Sequence, residues 1–269
     1  MRVRSGDVPA PPLAPPAPSP AGPLPERTGA LLATWGAAVA GIAAARLLAR
    51  ADPTGLLAAN LAGVAALLFI WLPDRRLRAR GEDWDAYGAP RHRLADPRAW
   101  RELARGAGQG LLACAVVFPP FVGLFWLFAA TLPHLPPGLA GWLAPYLGVP
   151  AFAFRLPDQL PLRVAVQLLV VALPEELFYR GWLQTSLARR APGRGVTVLG
   201  ARLGRGFLLT QALFALGHLV TLQPWRIGTF VPGLLFGWLR ERSGGLAAPV
   251  VAHGLSNLLL TTLERSFYG

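Results

Sequence analysis

Two glutamates stand side by side in VVALPEELFYRGWLQ, a stretch that otherwise reads as apolar. A carboxylate inside a membrane-length apolar segment is disfavoured by at least ~2.5 kcal/mol, so an adjacent pair there implies a task. Helical spacing divides the two. Glu176 and Arg180 are four residues apart and can pair on one face. Glu175 is rotated by about 100° from Glu176 and can point alone into a bundle. One glutamate is then neutralised structurally, and the other is free to act as general base or acid.

Two of the four histidines also fall in apolar segments, His218 in FALGH and His253 in HGLSN. Each taken singly could be a helix-packing hydrogen bonder. Asn257 follows His253 by four residues, so both can address one point. Glu175, His218, His253 and Asn257 form the candidate working set, with Glu176 and Arg180 in support. Gly233 and Gly237 make a small face four residues apart that can bring neighbouring backbones close, so that polar side chains on adjacent helices converge.

The elements that must position these residues are transmembrane helices. Of 269 residues 53% are hydrophobic and only 15% charged, too little charge to coat a soluble domain. Mean hydropathy is +0.41. The expected fold is all-α, a polytopic transmembrane helix bundle of about seven spans. Residues 1–28 read as a Pro-rich disordered tail, and their prolines exclude a signal-peptide helix. Residues 29–160 hold the N-terminal spans, near 29–48, 54–73 and 106–132. A polar, Arg-dominated loop at 74–105 interrupts them, with an interfacial helix expected around Trp100. Pro119-Pro120 is expected to kink the third span. Residues 133–160 are apolar but broken by prolines, and read as an interfacial or re-entrant segment. Residues 161–265 hold the catalytic spans, near 161–188, 207–222, 227–239 and 246–263.

The net charge is +12 and every basic residue is arginine. The arginines lie between apolar segments, which reads as topology signal and contact with anionic lipid rather than nucleic-acid binding. Seven spans place the 74–105 loop (Arg75 to Arg105), the loop with Arg189, Arg190, Arg194, Arg202 and Arg205, and the turn with Arg240 and Arg242 on one side. Arg2, Arg4 and Arg27 join them, so the N-terminus is expected in the cytoplasm. This topology leaves a conflict of depth: His218 falls near the outer end of its span, while Glu175 lies past the middle of a span running inward. Abundant Ala, Gly, Pro and Arg without lysine reads as a bacterial, GC-rich source, hence a bacterial inner membrane. Cys114, alone, excludes a disulfide framework and reads as a small apolar residue in a span.

In these motifs the chain resembles the CPBP family, the CAAX-processing and bacteriocin-processing, ABI-type intramembrane glutamic endopeptidases. The motif Glu-Glu-x-x-x-Arg is Glu175 to Arg180 here. Phe-x-x-x-His is Phe214 to His218, and His-x-x-x-Asn is His253 to Asn257. Phe230, Gly233 and Gly237 match the aromatic-and-glycine spacing before the last motif. The resemblance covers roughly residues 161–260. It implies peptide-bond hydrolysis without a metal or a covalent intermediate. Glu175 would activate water, His218 would hold and polarise it, and His253 with Asn257 would stabilise the oxyanion. Implied substrates are a membrane protein, or a lipidated or C-terminal sorting-signal protein as for a myxosortase-like bacterial member. Two other readings stand beside it. Glu175, His218 and His253 could ligate zinc, although no His-Glu-x-x-His motif is present. Intramembrane Glu and His also mark proton-coupled transporters or non-enzymatic membrane partners, although no inverted repeat is apparent.

Overall fold

The computed structural model describes residues 25–146, 149–193 and 195–269. Arg2, Arg4, Arg194 and residues 1–24 of the expected tail lie outside the described residues. Residues 25–27 are extended, and Glu26 is buried, paired with Arg76.

The described chain is mostly helical. α1 (Thr28–Ala51) and α2 (Leu61–Ala79) form a hairpin through a short helical turn, Leu56–Ala59. α3 (Pro97–Thr131) is one continuous helix of 35 residues. Its start is written in the sequence: Pro97 occupies the first turn, and the Asp96 carboxylate accepts from the Arg98 amide at 2.8 Å. Trp100 therefore lies in the first turns of α3, not on a separate interfacial helix. Pro119 and Pro120 lie inside the same uninterrupted helix.

Between α2 and α3 the Arg-rich segment is docked rather than loose. Trp84 and Tyr87 are buried, and Glu82 accepts from Arg80 at 2.7 Å, from the Tyr87 hydroxyl at 2.5 Å and from Arg189 at 2.8 Å. Arg189 is the last residue of the helical stretch 160–189, so these bonds tie the segment to the helix that carries the diglutamate.

Residues 137–143 form a short helix, α4 (Pro137–Leu143), far too short to cross a bilayer. An extended stretch follows along the end of the last helix, where the Ala151 and Ala153 amides donate to the carbonyls of Phe267 and Ser266 at 3.0 and 2.7 Å. Trp142, Phe152 and Phe154 are strongly exposed along this course.

α5 spans residues 160–189. Over 166–172 and 177–184 its turns widen to i→i+5 hydrogen bonding, on either side of the diglutamate. Such widened turns are rare and recur at functional sites. A small hairpin follows, β1 (Val196–Val198) antiparallel to β2 (Ala201–Leu203), which the sequence reading placed in a plain loop. Then come α6 (Arg205–His218), α7 (Phe230–Ser243) and α8 (Ala247–Tyr268).

α6 and α7 have 14 residues each, about 21 Å, and 3-10 turns at Leu219–Thr221 and Pro224–Thr229 continue them toward one another. Among the described residues, Thr28–Ala51 and Pro97–His134 are the two helical stretches long and apolar enough to cross a membrane.

The register of α6 against α5 removes the conflict of depth. Gly206 abuts the Leu187–Ala188 backbone at one end of the α5–α6 pair, and Gly217 abuts the Tyr179 hydroxyl further along. Glu175 stands about twelve residues before Leu187 and His218 about twelve after Gly206, so both lie ~18 Å from that contact.

α3 packs extensively on α8. Gly106 faces Ala247, Gly110 faces the Ala248 carbonyl, and Cys114 is buried against Phe236, Leu239, Ala248 and Ala252. A second core gathers α1, α2, α5 and α6 around Phe69, Phe178, Tyr179, Trp182 and Phe214.

Candidate active site

Three helices converge on Glu175. Its Oε2 lies 3.9 Å from Nε2 of His218 on α6 and 3.9 Å from Nε2 of His253 on α8. Both imidazoles are oriented from behind. His218 Nδ1 is 2.9 Å from the Phe214 carbonyl of its own helix. A carbonyl only accepts, so the Nδ1 proton is there and Nε2 is turned to Glu175. His253 Nδ1 is 2.8 Å from Glu176 Oε1, and the same logic places its proton on Nδ1. Phe236 of α7 stacks on the His253 ring at 4.8 Å between centroids, and Phe214 meets the His218 ring edge-on at 4.6 Å.

The two glutamates differ in surroundings. Glu176 is fully buried and receives Arg180 Nη1 at 3.0 Å as well as His253. Glu175 keeps 17% of its side chain exposed, and Glu175 Oε2 has no hydrogen-bond partner. The separation expected from spacing is thus the arrangement observed. Oε2 itself is buried although part of the side chain is exposed, and the 3.9 Å gaps to both imidazoles suit a bridging molecule better than direct contact.

Arg180 is completely buried among Tyr179, Phe214 and Phe236, its guanidinium carbon 4.1 Å from the Phe214 ring centroid. Its Nη2 donates to Gln211 Oε1 at 2.9 Å and to the Gly233 carbonyl at 3.2 Å. Gln184 donates to the Gly237 carbonyl at 3.1 Å. Gly233 and Gly237 therefore present α7 backbone directly to the polar face of α5. A Cβ at Gly233 would stand 3.1 Å from Phe214 and 3.3 Å from Arg180 Nη2, so a side chain there would push the network apart. Phe230 occupies the first residue of α7.

Asn257 is turned elsewhere. Its Nδ2 donates to Gln167 Oε1 of α5 at 2.9 Å, leaving one amide proton uncommitted. The sequence reading missed Gln167, Gln184, Gln211 and Phe236. Three of these are polar residues inside apolar helices, the same signal that flagged His218, and Gln184 continues the four-residue spacing of Glu176 and Arg180. Phe236 carried no such mark.

For zinc, Glu175, His218 and His253 offer the ligand atoms already described. Among the described residues, the one trio of His and carboxylate atoms all within 4.8 Å of one another is Asp83, Asp85 and His92, outside this site.

No curated protein and no solved structure matches the chain. One family model does, over residues 157–259, described as type II CAAX prenyl endopeptidase Rce1-like. That span contains α5 from its first turn, α6, α7 and the part of α8 carrying His253 and Asn257. Residues 157–259 are thus a domain of the Rce1-like type II CAAX prenyl endopeptidase family, membrane-embedded hydrolases of peptide bonds.

Proposed function

We propose that the chain is an intramembrane glutamic endopeptidase that cleaves near the C-terminus or membrane segment of a protein substrate, with Glu175 as general base. One observation carries the reading: an unpartnered carboxylate oxygen faces two imidazole Nε2 atoms at 3.9 Å each, while each imidazole is held by its other nitrogen.

Water bound between Glu175 and His218 gives a proton to Glu175 as its oxygen attacks the scissile carbonyl carbon. The carbonyl becomes an oxyanion. His253 donates to it from Nε2 as an imidazolium, and Asn257, held by Gln167 in this structure, turns its amide to the oxyanion as a second donor when substrate is bound. Glu175 then returns the proton to the amide nitrogen, the C–N bond breaks, and a carboxylic acid and an amine leave, which become carboxylate and ammonium by proton transfer. The substrate class follows the family: proteins processed at their C-termini, lipidated or carrying a sorting tail. The surroundings are a bilayer, with about seven apolar segments embedded.

The test is the purified full chain in nanodiscs with a farnesylated CAAX peptide, and comparison of membrane proteins by mass spectrometry in cells with and without Glu175→Gln. Glu175→Gln is expected to lower turnover at least ~10³-fold with melting unchanged. Normal cleavage by Glu175→Gln would remove Glu175 from the chemistry and with it this reading.

A further inference from the structure

We propose that Gln211 is a positioning residue that sets the aim of His253 through Arg180 and Glu176. The inference deepens the protease reading and rests on it for its functional consequence.

The polarity of the chain of contacts is forced by chemistry at both ends. Arg180 can only donate, so the Gln211 atom 2.9 Å from its Nη2 must be Oε1. Gln211 Nε2 is then the group facing Gln184, and it donates to Gln184 Oε1 at 3.1 Å. That leaves Gln184 Nε2 toward the Gly237 carbonyl at 3.1 Å and the Glu241 carboxylate at 2.8 Å, both of which can only accept. Every bond runs in one direction: Arg180 to Gln211, Gln211 to Gln184, Gln184 to Glu241. Neither amide can flip without breaking two contacts at once. Gln184, Gln211, Arg180 and Glu176 all have zero exposure, so no water can replace a lost partner.

Arg180 depends on this chain. Its Nε is buried without a partner, and Nη2 has Gln211 and the Gly233 carbonyl. Its Nη1 and His253 Nδ1 meet on the same oxygen, Glu176 Oε1. Fixing the guanidinium therefore fixes the carboxylate, and the carboxylate fixes the imidazole that faces Glu175. His218 takes its orientation from the Phe214 carbonyl of its own helix, a hydrogen bond that does not pass through Gln211, Arg180 or Glu176. The two catalytic histidines should thus respond differently to one substitution.

The experiment is ring-¹⁵N NMR of the full chain, labelled at histidine, in detergent micelles. Four histidines make assignment tractable, with His92→Gln and His134→Gln removing the two outside the site. Gln211→Met keeps the volume and removes both hydrogen-bonding groups. The expected result is that the ring ¹⁵N signals of His253 depart from their wild-type pattern while those of His218 keep theirs. Turnover of the farnesylated peptide should fall about tenfold with KM unchanged, as expected when a group acting in the transition state loses its aim. An unmoved His253, or equal movement of both histidines, overturns the proposal. Should Gln211→Met fail to fold, Gln184→Met removes the next link. It is expected to move His253 less and His218 not at all, and an unmoved His253 there overturns the proposal equally. Wild-type protein that shows the His253 dependence but cleaves nothing would instead overturn the protease reading.

Discussion

The two longest helices use the same four-residue spacing for opposite ends. On α3 the inward face is Gly106, Gly110 and Cys114, three small residues set against α8. On α5 it is Glu176, Arg180 and Gln184, three polar residues with no exposure at all. The first face contributes closeness: in lipid, helices associate through van der Waals contact, and small residues let backbones meet. The second contributes hydrogen bonds, and these determine where charged groups point. The outer faces differ in the same sense. α3 turns Leu112, Val116, Leu124 and Trp126 outward, with exposures between 59 and 67%, while residues 178–184 of α5 are all buried. A helix wrapped in protein can hold a charge that a helix facing lipid cannot.

Breaking the polar face should have the largest effect. Arg180→Leu leaves Glu176 as a buried carboxylate with only His253 beside it. Removing one member of a buried pair destabilises by about 3–5 kcal/mol, because the other charge is left uncompensated. The expected outcome is protein that accumulates poorly in the membrane and melts well below wild type in detergent. Restoring wild-type melting with Glu176→Gln in the same chain would show the penalty to be charge, as argued. Failure of that rescue would point to packing around Phe214 instead.

This contrast also marks what the sequence could and could not reveal. The apolar segments, the pairing of Glu176 with Arg180 and the freedom of Glu175 were legible because spacing along one helix fixes which side chains share a face. The depth of His218 was not. It depends on the register in which α6 runs back along α5, and hydropathy does not give the register of two packed helices. Asn257 illustrates a second limit: spacing puts it on the face of His253, but its amide partner, Gln167, comes from another helix. The widened turns of α5 are a third. They are set by how the whole helix packs, and no local pattern in VVALPEELFYRGWLQ announces them. Gln184 and Gln211 were visible as polar residues in apolar segments, and became meaningful only when α5, α6 and α7 were seen together.

The small face of α3 can be tested against the lipid face of the same helix. A Cβ at Gly110 would come within 2.6 Å of the Ala248 carbonyl, which is backbone and cannot swing away. Gly110→Leu is therefore expected to destabilise by at least 1–3 kcal/mol, the usual range for overpacking, and to separate α3 from α8. Leu112, two residues on and 67% exposed, meets no such wall. Leu112→Ala should stay within about 0.5 kcal/mol of wild type. Paired thermal melts in one detergent check both, and a large loss at Leu112 would mean that this face is covered by protein rather than lipid.

The smallest effect is expected at the far end of α5, where a polar cluster lies outside the apolar segments. Burial alone would push the Glu82 carboxyl up, but bonds from Tyr87, Arg80 and Arg189 outweigh it and hold the group below the ordinary carboxylate range. The Tyr87 hydroxyl is pushed up to about 12, by burial first and by its bond to Glu82 second. Since Glu82 binds its proton less readily folded than unfolded, its contribution to stability is present at neutral pH. It is lost as pH falls through the depressed folded value. Wild type and Glu82→Gln should therefore differ by a constant amount at neutral pH, and the gap should close once pH drops below ~4.3. The gap itself should be modest, because Arg189 is 37% exposed and water screens its charge. A gap that persists unchanged at low pH would mean that Glu82 acts through shape rather than charge. The docked Arg-rich segment would then resemble the packed face of α3 more than the polar face of α5.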